Sequence, residues 1–212
     1  MKRLIAYILF IPFLALLTAG CDEETTDNIS EVTHFPEFEM SGEKYYFIDQ
    51  GNSYEEPGIK AFAGENQVEV ETSGSVDETT PGVYTLTYSA TNKDGYSKSV
   101  KRQVIVTGGE VTQNNLTGTY TGGYYGDGQM TVTEIKDGLY QSTDIFGYGQ
   151  PYPTQGKIVD LGNGKLVVLS TSSAFGRVLR SEGTYSDTEL SYLLGIEGYG
   201  YIFNTVWTKQ QK

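Results

Sequence analysis

Gly82-Val83-Tyr84-Thr85-Leu86-Thr87-Tyr88-Ser89-Ala90 is the stretch that decides the fold class. Its apolar and hydroxyl side chains alternate, so the two kinds would lie on opposite faces of an extended strand. Tyr84, Leu86, Tyr88 and Ala90 would share one face, and Thr85, Thr87 and Ser89 the other. This period of two predicts a half-buried strand in an antiparallel sheet.

The same alternation recurs on both sides of this strand. Residues 67–71 alternate, and Val100, Val104 and Val106 would share a face. Between two such segments, Asn92-Lys93-Asp94-Gly95 predicts a hairpin turn whose Gly supplies a positive φ. No convincing helical period of 3.6 residues follows residue 34. The sequence therefore predicts an all-β chain in which residues 35–107 form a small β-sandwich.

A Gly- and Asn-rich segment, residues 108–115, predicts a linker to a second β domain, residues 116–212. Leu190, Tyr192, Leu194 and Ile196 would form one inward face of that domain. Tyr201, Phe203 and Trp207 would form another. Eight short strands are predicted near residues 117–125, 129–135, 138–143, 155–161, 164–170, 177–185, 188–196 and 200–208. Their even spacing favours an antiparallel meander that closes, or nearly closes, into an up-and-down β-barrel.

The N-terminus has the organisation of a lipoprotein signal peptide. Lys2 and Arg3 precede an apolar run, residues 4–17, which is too short to cross a membrane as a helix. Thr18-Ala19-Gly20-Cys21 follows, and it resembles the lipobox of bacterial lipoproteins. That resemblance implies that residues 1–20 are removed, and that Cys21 is acylated and anchors the chain in outer-membrane lipid. An ordinary secretory signal is the alternative.

Residues 21–34 are acidic and lack periodicity, which predicts a flexible tether. The segment resembles the export signal of Bacteroidetes lipoproteins. This resemblance implies an outer-membrane anchor that faces the cell exterior, with a periplasm-facing anchor as the alternative.

Residues 35–107 carry a more specific resemblance. Gly51-Asn52-Ser53-Tyr54-Glu55-Glu56-Pro57-Gly58-Ile59-Lys60-Ala61, Thr79-Thr80-Pro81-Gly82-Val83-Tyr84 and Arg102-Gln103-Val104-Ile105-Val106 resemble the bacterial surface Ig-like family, which also occurs as a module in a pesticidal crystal toxin. The family implies a spacer or presentation module without activity. Asn92 departs from the family's usual Asp before the turn, which weakens the case for a calcium site there.

The second domain resembles small uncharacterised domains that follow Ig-like modules in Bacteroidetes surface lipoproteins. Thr117-Gly118-Thr119-Tyr120-Thr121-Gly122-Gly123-Tyr124 and Asp144-Ile145-Phe146-Gly147-Tyr148 carry this resemblance. Such proteins often belong to glycan-uptake systems. The resemblance therefore implies a glycan, or a protein of a glycan-uptake complex, as the partner.

Composition excludes several classes of function. The formal net charge of −12 argues against nucleic-acid binding, which needs a basic face. One Cys and one His leave no zinc cluster and disfavour the usual nucleophilic hydrolases. We expect no cofactor, no metal and no catalytic residue. Two possibilities stay open: a small glycosidase with carboxylates drawn from Asp127, Asp144, Glu182 and Glu197, and a calcium site from Asp127, Asp144 and Asp160.

Aromatic residues beside glycines mark the candidate ligand site. Sugar rings stack on flat aromatic side chains, while amides and carboxylates bind their hydroxyl groups. Tyr124, Tyr148 and Tyr152 are predicted as the stacking floor, and Asp127, Asp144 and Gln150 as the hydroxyl partners. Together with the lipobox and export-signal resemblances, these residues lead us to expect a non-catalytic, lipid-anchored surface protein whose barrel binds a glycan or a partner protein. A structural or adhesion role without a small ligand, and a lipocalin-like carrier of an apolar molecule, stay open as well.

Overall fold

A computed structural model of the protein describes residues 32–111 and 116–211. The predicted signal peptide, Cys21, most of the predicted tether and the end of the predicted linker lie outside these residues. The described chain is all-β and contains no helix, so the predicted fold class is confirmed. Across these same residues, no helix has the length and apolar character needed to span a membrane.

The N-terminal part of the described chain is a two-sheet sandwich. One sheet has the order β1-β3-β4, and the other has the order β2-β7-β6-β5, in which β2 runs parallel to β7. The strands are β1 (Glu37–Met40), β2 (Tyr45–Asp49), β3 (Ile59–Ala63), β4 (Asn66–Val68), β5 (Glu71–Ser73), β6 (Gly82–Thr91) and β7 (Ser97–Thr107).

The alternation in β6 sets the core of the sandwich. Leu86, Tyr88 and Val104 are buried between the sheets, as the period of two predicts. Residues 67–71 do not form one continuous strand. Instead, β4 ends at Val68 and β5 begins at Glu71, because the chain crosses there from one sheet to the other.

A buried Arg is the polar centre of the sandwich. Arg102 has no exposed surface, and its Nη2 donates to Glu56 Oε1 at 3.0 Å and to the Ser41 carbonyl at 2.7 Å. Burial by itself would raise the pKa of Glu56, but hydrogen bonds from the hydroxyls of Tyr54 and Tyr88 outweigh it and lower that pKa. The Ig-like motif residues therefore form one hydrogen-bonded unit.

The turn between β6 and β7 is held by Asn92, which is 6% exposed. Its Oδ1 accepts from the backbone N–H groups of Asp94, at 3.0 Å, and Tyr96, at 2.8 Å, while its Nδ2 donates to the His34 carbonyl at 2.8 Å. An amide supplies both the acceptor and the donor that this turn needs, whereas a carboxylate has no donor.

The C-terminal part is a closed antiparallel barrel with the order β8-β9-β10-β11-β12-β15-β16-β17, and β17 pairs with β8. A short hairpin, β13–β14, projects between β12 and β15. The strands are β8 (Gly118–Gly123), β9 (Gly128–Lys136), β10 (Leu139–Ser142), β11 (Gly156–Gly162), β12 (Lys165–Val168), β13 (Thr171–Ser173), β14 (Gly176–Val178), β15 (Ser181–Tyr185), β16 (Glu189–Gly195) and β17 (Ile202–Lys209).

The barrel interior is filled with large side chains, among them Tyr120, Tyr140, Tyr192 and Trp207. The predicted inward face at Leu190, Tyr192, Leu194 and Ile196 is confirmed, because all four are buried. The other predicted inward face is wrong at Tyr201, which precedes β17 and is 52% exposed. Trp207 of the same predicted face is fully buried. The predicted strand at 177–185 is also wrong, because the chain leaves the barrel for the hairpin and rejoins it at Ser181.

The outer face of the β6–β7 sheet packs directly against the barrel. Val83 and Ile105 point away from the sandwich core and are buried with Leu139, Val159 and other barrel residues. Hydrogen bonds reinforce this contact: Gly108 N donates to the Leu161 carbonyl at 2.7 Å, and Lys136 forms an ion pair with Glu43. Apolar burial therefore fixes the barrel against the sandwich.

Candidate functional site

Three Gly- and Tyr-rich loops meet at one end of the barrel. They are the β8–β9 loop with Tyr124, the β10–β11 loop with Tyr148 and Tyr152, and the β16–β17 loop with Tyr201. The tip of the β13–β14 hairpin adds Phe175. We call the surface rings of this set the aromatic end: Tyr124, Tyr125, Tyr148, Tyr152, Phe175 and Tyr201.

The β10–β11 loop is organised by Asp144, which is 2% exposed. Its Oδ1 accepts from the backbone N–H groups of Phe146, Gly147 and Thr154 at 3.1–3.2 Å. Its Oδ2 accepts from Gly149 N at 2.7 Å. This arrangement corrects the predicted role of Asp144 as a hydroxyl partner, because its oxygens are turned inward to hold the loop that carries Tyr148 and Tyr152.

Two glycines allow the β8–β9 and β10–β11 loops to touch. A Cβ at Gly123 would lie 2.7 Å from the Phe146 carbonyl oxygen, and one at Gly147 would lie 3.0 Å from Trp207 Cη2. Both glycines also have positive φ, 84° and 80°. Tyr124 N donates to the Phe146 carbonyl at 2.8 Å across this contact. Side chains at these positions would separate the loops, so the glycines bring Tyr124 and Tyr148 together.

The rings form a continuous chain of contacts rather than a flat platform. Tyr148 stacks on Phe146, with centroids 5.0 Å apart and planes 2° from parallel. Its other neighbours are tilted: Phe175 lies 5.5 Å away at 83° and Tyr125 lies 5.8 Å away at 47°. Tyr124 and Tyr201 share a hydrogen bond between their hydroxyls at 2.8 Å. A ligand would therefore meet several ring faces and edges.

Several of these rings are open to solvent. Tyr125 is 69% exposed, Tyr152 50% and Phe175 40%. Tyr125 and Phe175 were missed as site residues by the sequence reasoning, and Tyr201 was assigned to the core. Each lies next to a glycine, and this is the same sequence signal that predicts the candidate site.

Burial raises the pKa of Tyr148 to about 12, and the hydrogen bond with Tyr201 raises the pKa of Tyr124. Both phenols are neutral at neutral pH, and one proton of the Tyr124–Tyr201 pair lies in the hydrogen bond between the two hydroxyls. The aromatic end offers neutral rings and neutral hydroxyl donors, which suit a polyhydroxylated ligand.

Asp127 and Gln150 are exposed in the same loops as Tyr125 and Tyr152, so both remain predicted hydroxyl partners. Two of the carboxylates that could serve a glycosidase, Glu197 and Asp144, already have partners within the chain. Glu197 pairs with Arg177 at 3.6 Å, and Asp144 is bound by backbone N–H groups. Within residues 32–111 and 116–211, no three His, Cys, Asp or Glu side chains are grouped to hold a metal ion.

Comparison with known proteins supplies one family. No curated protein matches the chain. A lipoprotein structure from Bacteroides thetaiotaomicron is 23% identical with a TM-score of 0.36, covering 83% of this chain and 100% of that chain. The CBM51-2 and INT domains of ZmpB from Clostridium perfringens, solved with GlcNAc, are 15% identical with a TM-score of 0.30, covering 78% of this chain and 30% of that chain.

Both TM-scores are below 0.5, so these two structures carry no inference about this chain. The family match covers the sandwich and does not extend into the barrel. It spans the residues in which Tyr54, Glu56, Tyr88 and Arg102 form the buried hydrogen-bonded unit. Residues 38–106 match the family described as bacterial surface protein, Ig-like domain, which confirms the resemblance found in the sequence.

Proposed function

We propose that the protein is a non-catalytic, lipid-anchored surface protein whose barrel binds a glycan at the aromatic end. One observation carries the proposal: exposed rings from four separate loops converge on a single end of the barrel. Exposed aromatic clusters of this kind are uncommon on a protein surface without a ligand or partner. Stacking on sugar rings uses the ring faces, and the tyrosine hydroxyls supply hydrogen bonds.

The hydrogen bonds that hold the β10–β11 loop support ligand binding at the aromatic end. Asp144 fixes the β10–β11 loop before any ligand arrives, which reduces the ordering cost of association. The filled barrel interior disfavours a lipocalin-like carrier, because Tyr120, Tyr192 and Trp207 occupy the space that a carrier would leave open.

The surface location and the anchor belong to the same proposal. The Ig-like family is described as a bacterial surface protein domain, and this supports display at the cell surface. Acylation of Cys21 in the outer membrane would place residues 21–34 as a tether, 35–107 as the sandwich, 108–115 as the linker and 116–212 as the barrel. Because the barrel packs on the sandwich, the two would be displayed as one unit rather than as a free domain on a spacer.

A glycan array probed with the purified full chain in detergent tests the proposal. The double variant Tyr125→Ala/Tyr152→Ala removes two exposed rings, and Tyr96→Ala removes a ring of similar exposure from the sandwich. We expect the double variant to lose affinity by about tenfold or more, since each stacked aromatic pair contributes about 0.5–1.5 kcal/mol. Equal binding by wild type and double variant, or no binding to any glycan, contradicts the proposal.

A partner protein is the second candidate occupant. Leu193 and Ile202 are more than half exposed on the outside of the barrel, and Ile202 directly follows Tyr201. An apolar surface next to exposed rings is typical of protein interfaces. Capture of a component of a glycan-uptake complex through these residues, with no glycan bound on the array, would favour this candidate.

A further inference from the structure

A polar cleft of about 690 Å³ lies where the sandwich meets the barrel, and none of the rings of the aromatic end is among its lining residues. It is lined by five cationic residues, and no lining residue is Asp or Glu. The five are Lys44, Lys101, Lys157, Arg177 and Arg180. This composition stands out because the whole chain has a formal net charge of −12.

Two cations reach the cleft from the sandwich. Lys101 lies on β7, two residues from Gln103 and on the same face of the strand. Lys44 directly precedes β2, and its carbonyl accepts from Gln103 N at 2.9 Å. Both lysines are exposed. The parallel β2–β7 pairing places Lys44 beside the strand that carries Lys101, and both residues line the cleft.

Three cations come from the barrel, and hydrogen bonds orient each of them. Lys157 Nζ donates to Gln141 Oε1 at 3.4 Å. Arg177 Nε donates to Ser170 Oγ at 3.2 Å, and the Arg180 guanidinium donates to the Val83 carbonyl on the sandwich side. Because these contacts use neutral acceptors, they position the charges without cancelling them.

Most of this charge is uncompensated. In the described part of the chain, Lys44, Lys101, Lys157 and Arg180 have no carboxylate oxygen within 4.0 Å, and Arg177 alone pairs, with the exposed Glu197 at 3.6 Å. Like charges that share a cleft repel one another, so an anion bound among them is favoured. Inside a partly enclosed cleft this attraction is screened less than on an open surface.

The remaining lining is hydroxyl and amide. Thr85, Gln103, Gln141, Gln155, Ser170, Thr171 and Ser172 face the same space as the cations. A single sulfate or phosphate would need only a few converging donors. A cleft within the usual size range for small ligands, with many neutral hydrogen-bonding groups between separated charges, suits a polyhydroxylated chain with a few anionic groups.

We propose that this cleft binds an acidic oligosaccharide whose carboxylate or sulfate groups meet Lys44, Lys101, Lys157 and Arg180. A nucleic acid fits less well, because its bases bind by stacking on aromatic side chains and Tyr45 is the one aromatic residue among the described residues that line the cleft. The proposal does not depend on ligand binding at the aromatic end. Variants of one site are expected to leave the other site unchanged.

Calorimetric titration of the full chain in detergent tests the cleft. The probes are galacturonate oligomers, sulfated dextran oligomers and unsulfated dextran oligomers. In the Tyr125→Ala/Tyr152→Ala background, which removes two exposed rings of the aromatic end, we expect the first two to bind and the third to show no binding. The stronger of the two acidic probes identifies whether carboxylate or sulfate is preferred. Affinity should fall as NaCl rises, because salt screens the attraction.

Lys44→Gln/Lys101→Gln removes two exposed charges from the cleft, and Lys98→Gln/Lys165→Gln removes two exposed lysines outside it. We expect about tenfold weaker binding for the cleft variant and no change for its control. Unaltered binding by the cleft variant overturns the proposal, as does equal binding of plain dextran. Competition by inorganic sulfate, or by an oligothymidylate of the same length, at the same concentration as the acidic oligosaccharide also overturns it.

Discussion

Replacing Asp144 with Asn tests how the aromatic end is built, because the change keeps the shape of the side chain and alters one atom. With Asn Oδ1 toward Phe146, Gly147 and Thr154, the new NH₂ group faces Gly149 N at the position where Oδ2 accepts at 2.7 Å. Two donors then face each other. The opposite rotamer is worse, since it places three backbone donors against the NH₂ group.

One buried donor without an acceptor costs about 1–3 kcal/mol, so Asp144→Asn should lower the free energy of unfolding by that amount. The matched control is Asp127→Asn, an exposed carboxylate near the same end, for which we expect a change within about 0.5 kcal/mol. Urea unfolding followed by fluorescence measures both. The chain has a single Trp, and Trp207 lies against Gly147 in the affected loop, so the signal reports on this end of the barrel.

Loss of stability should be accompanied by weaker glycan binding, although Asp144 contacts no ligand, because the loop that carries Tyr148 and Tyr152 would be displaced. A variant with wild-type stability and wild-type NMR shifts for these rings would refute the reasoning. Loss of affinity in Asp127→Asn, with stability unchanged, would instead identify Asp127 as a direct hydroxyl partner.

Three further predictions concern the glycines, the buried Arg unit and the anchor. Gly147→Ala should destabilise the chain by about 2–4 kcal/mol, because Gly147 combines a positive φ with a close contact. Gly149→Ala should cost only about 1 kcal/mol, because Gly149 has a φ of 65° but open space around it. Equal losses of stability in thermal unfolding would contradict this prediction. The pKa of Glu56 is lowered in the folded chain. The stability that the ionised Glu56 contributes is therefore fully present when the pH lies above the ordinary pKa of a carboxyl group, and it is lost as the pH falls through the lowered pKa. Glu56→Gln should cost about 1–2 kcal/mol at pH 7, and the gap from wild type should narrow in acid; a gap independent of pH between about 7 and 3 would contradict this. Cys21→Ser should move the protein from the membrane fraction to the soluble fraction, and unchanged fractionation would remove the anchor.

The sequence predicts the β class and most barrel strands because half-buried strands have a local signal, the period of two. Leu190, Tyr192 and Leu194 show this, since each is inward as the alternation requires. The packing of the sandwich on the barrel could not be predicted in the same way. Val83 and Ile105 lie on the polar face of their strands, and only the second domain explains why apolar residues stand there.

Glycine and tyrosine content predicts where the candidate site lies, whereas the roles of its individual residues follow only from the structure. Glycine beside tyrosine predicts loops that meet at one end of the barrel, but the sequence could not show that Asp144 turns inward, because that depends on where the N–H groups of Gly149 and Thr154 lie. The cationic cleft had no local signal at all. Lys44 and Lys157 are far apart in the chain and meet only through the contact between the two domains.

The central claim is that a glycan binds at the aromatic end, and mapping of NMR shifts tests it most directly. The full chain in detergent is titrated with the strongest glycan from the array while the aromatic ring and backbone signals are followed. The account predicts shifts concentrated at Tyr125, Tyr152, Phe175 and Tyr201. Shifts confined to the sandwich or to the outer wall of the barrel, or no shifts at saturating glycan, would contradict it.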